Sequence, residues 1–168
     1  AGFPKGKALP TLRYDIRGTS NVSRQMGEFI KNELGKIGID VEVIVNSFPG
    51  FLRKARNGDL QFWQGGWSLD YPDAHNIIQL LSSSNHPPGP NTSFYSSPII
   101  DEVYEQVSEG KGSADIAKVM KRVEKQVNAD LPWVMQYYSR DYVLYHSELK
   151  NFRQSDLIYN LFKYVRLD

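Results

Sequence analysis

Between Leu60 and Asp73 the chain reads LQFWQGGWSLDYPD, and here the residue types capable of chemistry fall closest together. Asp70 supplies a carboxylate. Trp67, three residues earlier, supplies a flat apolar ring, and Gly65-Gly66 strip the backbone of side-chain bulk just before it. Two glycines inside a strand pattern mark a place where another group comes close to the backbone. An extended ligand can pair with such an edge through N–H and C=O groups, without regard to its side chains. Gly66, Trp67, Ser68 and Asp70 are therefore candidate ligand-binding residues, with Gln64 beside them. Two plainer readings stand next to this one: Asp70 as a solvated or helix-capping acid, and Trp67 as a core residue. For Asp73, directly after Pro72, a helix cap is the better reading.

A seat of this kind needs a strand to end where the glycines begin. Phe62 and Trp63 are strong strand formers and follow the turn signal Gly58-Asp59; Trp67 extends the pattern, and Pro72 stops it. Upstream, Leu12, Tyr14 and Ile16 alternate with Thr11, Arg13 and Asp15, the pattern of a half-buried strand with its polar side outward. Thr19 or Ser20 can cap a helix over 21–37, whose apolar residues Val22, Met26, Phe29, Ile30, Leu34 and Ile37 share one face. Gly38 follows its end. Ile39, Val41, Val43 and Val45 then alternate as a second strand, parallel to the first. A short helix over 47–57 turns Phe48, Phe51, Leu52 and Ala55 inward, and Gly58 closes it. Up to Asp70 the order is β-α-β-α-β, an α/β fold, and in open sheets of this class ligands sit beyond the strands' C-terminal ends.

The rest of the chain is mainly helical. Ala74 to Leu81 predicts a helix with Ile77, Ile78, Leu80 and Leu81 apolar. The Pro-, Gly- and Ser-rich stretch 82–93 is a loop. Ser97-Pro98 starts a helix that buries Ile99, Ile100, Val103, Tyr104 and Val107. Gly110-Lys111-Gly112 breaks it, Ser113 caps the next, and Ile116, Val119, Met120, Val123 and Val127 recur at helical spacing. These two helices form an antiparallel hairpin. Trp133–Tyr138 and Asp141–Tyr145 are rich in β formers and predict two more strands.

Composition narrows the function classes. The chain has 168 residues, 40% hydrophobic and 23% charged, enough for one domain with a proper core. Its net charge is +1 with no basic block, so the footprint of a nucleic-acid binder is missing. Without cysteine there are no disulfides, thiolate metal sites or Cys nucleophile. No apolar run approaches the ~20 residues of a membrane span. His75, His86 and His146 share no metal-ligand spacing, and no Ser/His/Asp order, P-loop or G-x-G-x-x-G occurs. The expectation is a binding module with no cofactor; a small α/β enzyme is the rival class.

GWSLDYPDAHN resembles the GW-x-x-D-Y-x-D-P-x-N signature of extracellular solute-binding proteins of the peptide/nickel type, the capture subunits of ABC importers for di- and oligopeptides. Ala74 departs from it, standing where the signature has Pro. AGFPKGKALP resembles the family's linker, Asn91…Tyr95 with Ser97, Pro98 and Asp101 its N-x-x-x-Y and S-P-x-x-D elements, and Pro132…Tyr137 its P-x-x-x-x-Y stretch. The resemblance implies the C-terminal lobe of a periplasmic-binding-protein type II fold, with a mixed sheet flanked by helices and the helical hairpin beside it. Residues 1–150 would form this lobe, and 151–168 would return to the other, N-terminal lobe. It further implies a periplasmic or lipid-anchored protein that delivers short peptides to permease subunits, with Asp70 holding the peptide's amino terminus. Gln64 stands where some members carry a basic residue for the ligand's carboxylate. The same scaffold can instead take a nickel chelate, an opine or a sugar.

Overall fold

The computed structural model describes residues 2–110, 115–140, 142–153, 155 and 161–167. Three parallel strands form its sheet, in the order β2-β1-β3: β1 is Leu12–Arg17, β2 is Val41–Asn46 and β3 is Phe62–Trp63. Leu12 pairs with Val41 and the register runs on to Arg17 opposite Asn46; on the other side Tyr14 pairs with Phe62 and Asp15 with Trp63. Helix α1 (Asn21–Gly35) joins β1 to β2, and α2 (Phe48–Asn57) joins β2 to β3. The expected β-α-β-α-β order therefore holds, with the first strand in the middle.

Local signals place the helix ends. Ser20 Oγ accepts from the Ser23 amide, and Ser47 Oγ from the Gly50 amide, so both helices open on a hydroxyl cap. Gly58 ends α2 in the left-handed conformation, φ 75°. Gly38, φ 84°, lies against the entry segment so closely that a methyl group there would overlap the Lys5 carbonyl. Gly27 of α1 sits flush on the sheet, where an added Cβ would come 2.7 Å from Val43 and 3.3 Å from Ile16. The α1 side of the sheet buries Tyr14, Ile16 and Val41, with Leu12, Ile30, Leu34, Val43, Val45 and Phe62 packed around them.

Three expectations are corrected here. The polar side of β1 does not face solvent throughout: Arg13 and Arg17 are exposed, but α2 packs on the strand with its buried Phe51 and Ala55, and there Asp15 is fully buried. Its charge is met by Lys54 Nζ at 2.7 Å and Asn46 Nδ2 at 2.9 Å. The predicted one-face burial of α1 is also incomplete, for Val22, Phe29 and Ile37 remain exposed while Ile30 and Leu34 pack inward. Finally β3 stops after Trp63. One further bond, Gln64 N–H to the Asp15 carbonyl at 3.3 Å, extends the ladder before the glycines leave it.

A second core lies in a helical layer. Helix α3 (His75–Ile78) is shorter than predicted, because 79–81 tighten into turns with Leu80 N–H bonded to the Ile77 carbonyl and Leu81 N–H to that of Ile78. Helix α4 (Pro98–Ser108) packs on α3, and α5 (Ile116–Asp130) packs on α4, around buried Ile78, Leu81, Ile100, Val103 and Val123. Ser97 starts α4 as expected, although its side chain makes no capping bond. Asp115 caps α5, its carboxylate accepting from the Lys118 amide; Ser113, the expected cap, lies outside the described residues.

Among the described residues of 132–148 there is no strand, contrary to the two predicted there. Tyr138 is 91% and Leu144 96% exposed. Strand propensity describes fit to a pleated, half-buried surface, and these residues have no neighbouring strand to supply one. The short strands β4 (Leu149–Lys150) and β5 (Arg166–Leu167) pair antiparallel in a separate ribbon. No helix among the described residues is long and apolar enough to cross a membrane.

Candidate functional site

The segment from Gln64 to Asp73 leaves the sheet at the C-terminal end of β3 and runs without regular structure to α3. Gly65 and Gly66 are exposed, and neither has a positive φ. A Cβ at Gly65 would find only Trp63 Nε1 at 3.9 Å; at Gly66 it would meet the Arg17 guanidinium at 3.7 Å, an ordinary contact. Neither backbone strain nor internal packing therefore demands glycine at these positions. What the two residues leave is open backbone.

Trp67 stands beside that backbone with 45% of its surface exposed, so it is not the core residue of the plainer reading. Its indole nitrogen donates to Asn76 Oδ1 at 2.7 Å. Ser68 and Asp70 are exposed. The Asp70 amide also points at Asn76 Oδ1, at 3.4 Å, and Asn76 Nδ2 faces Asp70 Oδ2 at 3.5 Å. The aromatic ring and the carboxylate thus share one anchor, a fully buried asparagine of α3. Asp73 stands one residue before the cap position of α3, which is Ala74 and makes no side-chain cap bond; the Asp73 carboxylate accepts the His75 amide at 2.8 Å. The Tyr71 hydroxyl lies 2.8 Å from His75 Nδ1, and the His75 ring stacks on Tyr104 of α4 at 5.0 Å. His75 thereby ties the segment to the helical layer.

On the sheet side, Arg17 ends β1 beside Gly66 and lies 5.8 Å over the Phe48 ring. It has no carboxylate partner among the described residues. Arg17, Val22, Ser23, Met26, Gln64 and Tyr137 line a groove of about 260 Å³ beyond the strand ends, and Gln64 Nε2 donates to the Tyr137 hydroxyl at 3.4 Å. The Tyr14 phenol is pushed above its ordinary pKa, first by burial and then by Tyr137. A larger hollow of about 620 Å³, lined by Arg13, Lys54 and 58–61, opens at the opposite end of β3, away from Trp67 and Asp70.

The five residues singled out from the sequence, Gln64, Gly66, Trp67, Ser68 and Asp70, thus lie on one continuous segment at the strands' C-terminal edge, half-buried at Gln64 and exposed from Gly65 to Asp70. Sequence reasoning missed Arg17, Tyr137 and Asn76. Arg17 carried a signal, since it is the last residue before Gly18 closes the first strand. Asn76 is the last letter of the quoted signature, but nothing local shows it turning back onto Trp67. No group of three or more metal-ligating side chains occurs among the described residues.

This geometry has relatives. The dipeptide-binding protein of Escherichia coli is 26% identical over 84 residues, 49% of this chain and 16% of its own length. Heme-binding protein A of Haemophilus influenzae is 23% identical over 169 residues, covering 100% of this chain and 31% of the relative. The solved periplasmic binding protein DppA of Helicobacter pylori, in complex with the peptide STSA, superposes with a TM-score of 0.82 at 24% identity, over 94% of this chain and 31% of that one. The chain thus spans about a third, or less, of the length of these three proteins. Residues 1–89, from the entry segment through the sheet and the candidate seat, match the family model for bacterial extracellular solute-binding proteins, family 5, middle region, and to that family the chain belongs.

Proposed function

We propose that the chain contributes one lobe, residues 1–150, to a two-lobed solute-binding protein that captures short peptides for the permease of an ABC importer. In this reading 151–168 return to the other lobe, and the protein works in the periplasm or anchored to the cell surface by lipid. The observation that carries it is the pairing of an exposed carboxylate, Asp70, with the half-exposed Trp67 ring, on open backbone beyond a parallel sheet. A peptide's α-ammonium, with an ordinary pKa near ~8, is mostly charged at neutral pH. At an effective dielectric of ~20 its attraction to a carboxylate at contact is about 4 kcal/mol. Desolvation offsets much of this, so the pair contributes orientation and selectivity more than affinity. Gly66 and Ser68 would pair with the ligand backbone, Trp67 would wall it, and Gln64 with Arg17 would border its far side. Arg17 supplies the positive charge that Gln64 lacks.

Calorimetric titration of short peptides into the full-length protein tests this. Asp70→Ala should weaken binding at least about tenfold, the size of one lost hydrogen bond to a charged group, without changing the fold, because Asp70 is exposed. Unchanged affinity would refute the assignment of Asp70.

A second reading takes a non-peptide solute on the same seat. It is favoured by the relative that aligns with the whole chain, which is named for binding heme, and by the Tyr71–His75 pair at the seat's edge. Hemin titration, with absorbance followed in wild type and His75→Ala, separates the two: a Soret shift lost in the variant supports heme, and no shift removes it.

A further inference from the structure

Asn76 is a fully buried polar side chain that touches the proposed seat. Its orientation is settled by chemistry: an indole N–H can only donate, so the atom 2.7 Å from Trp67 Nε1 is the amide oxygen. That oxygen also receives the Asp70 amide at 3.4 Å. The amide nitrogen is thereby turned to Asp70 Oδ2, at 3.5 Å. A single planar group thus fixes the ring and the carboxylate relative to each other, although both sit on a segment without secondary structure. The planar group is itself held. Asn76 belongs to α3, and Ile78, two residues on, is fully buried in the core shared with α4 and α5. The Asn76 carbonyl receives Gln79 Nε2 at 3.1 Å.

We propose that Asn76 is a positioning residue for selectivity: it aims the Asp70 carboxylate so that the site distinguishes a ligand with a free, positively charged amine from one whose amine is blocked. This rests on the peptide reading above and adds to it how the seat discriminates. A purely structural asparagine would weaken all ligands alike when removed. A positioning one changes their ratio.

The experiment compares trialanine with N-acetyl-trialanine by calorimetry, in full-length wild type, Asn76→Leu, Asn76→Ser and Asp70→Asn. Wild type should prefer the free amine. In both Asn76 variants that preference should fall by about tenfold, one hydrogen bond to a charged group, while the acetylated peptide changes less. In the Asp70→Asn background Asn76→Leu should alter the ratio no further, as expected for two residues acting through one contact. If wild type does not distinguish the peptides, the peptide reading itself falls, and this inference with it. If wild type distinguishes them and the Asn76 variants keep the same ratio, the inference alone is overturned. A measurement independent of any buried substitution is hydrogen exchange at the Trp67 indole in ¹⁵N-labelled wild type, its signal assigned by its loss in Trp67→Phe. The indole N–H should be protected despite the ring's exposure, and exchange at the rate of a free indole would overturn the proposal.

Discussion

The Lys54 ammonium lies 2.7 Å from the carboxylate of Asp15, pinning α2 to the middle of the central strand. The Asp15 side chain is 1% exposed and that of Lys54 28%, so the pair is buried at its acid end and wet at its basic end. Removing one partner of a buried pair leaves an uncompensated charge and costs about 3–5 kcal/mol. Lys54→Met should destabilise the protein towards the lower end of that range, about 3 kcal/mol, because the lysine keeps some water. Urea denaturation followed by circular dichroism reads this. The double variant Asp15→Leu/Lys54→Met should lose less than the sum of the single changes, since no lone charge remains.

Gly66 separates binding from stability. Its φ is ordinary and an added methyl would make only a normal contact with Arg17. Gly66→Ala should leave the thermal midpoint unchanged or slightly raised, in line with the ~0.4–1 kcal/mol that alanine contributes at compatible positions. On the peptide reading it should weaken ligand binding in calorimetry, because the methyl stands where ligand backbone would approach. A large drop in stability would mean that the glycine serves the fold.

Gly38 is the opposite case. Here φ is +84° and a Cβ would overlap the Lys5 carbonyl. Gly38→Ala should cost more than ~1 kcal/mol, exceeding the usual gain from lowered chain entropy. Limited proteolysis should then cut first in the entry segment, 2–9, which loses its seat against the turn after α1.

A bond between the Tyr95 hydroxyl and the Asp130 carboxylate joins the loop before α4 to the end of α5. Tyr95 and then Gln126 hold the Asp130 carboxyl below the usual carboxylate range. Burial first, and then Asp130, pushes the Tyr95 phenol above its ordinary value of 10.0. The Asp130 contribution is present above its unfolded pKa and is lost as pH falls through the lower folded one. The Tyr95 contribution is present below its unfolded pKa and is lost as pH rises through the higher folded one. Tyr95→Phe should therefore lower the melting temperature at pH 7. The gap to wild type should close below the carboxylate range and again at alkaline pH above the phenol's. A gap independent of pH would exclude this bond as its source.

Sequence alone determined whatever depends on near neighbours. Period-2 and period-3.6 spacing located β1, β2, α1, α2, α4 and α5, because side chains on one face must recur at the element's own pitch. Thr19-Ser20 and Gly58 marked helix ends because a hydroxyl cap or a left-handed residue meets a purely local need. The candidate seat was legible as a run of unusual types, two glycines, a tryptophan and an acid within six residues. Tertiary structure decided what depends on who covers whom. The alternation around Asp15 says that it faces away from Tyr14 and Ile16; only the docking of α2 decides that Asp15 is buried there and must hold an ion pair. Strand formers at 133–145 remain unpaired among the described residues, because a strand exists only where a second one lies beside it. The grip of Asn76 on Trp67 and Asp70 spans nine and six residues through irregular chain. No repeat of helix or strand encodes such a reach, and the contact forms because the helical core holds Asn76 where the segment returns.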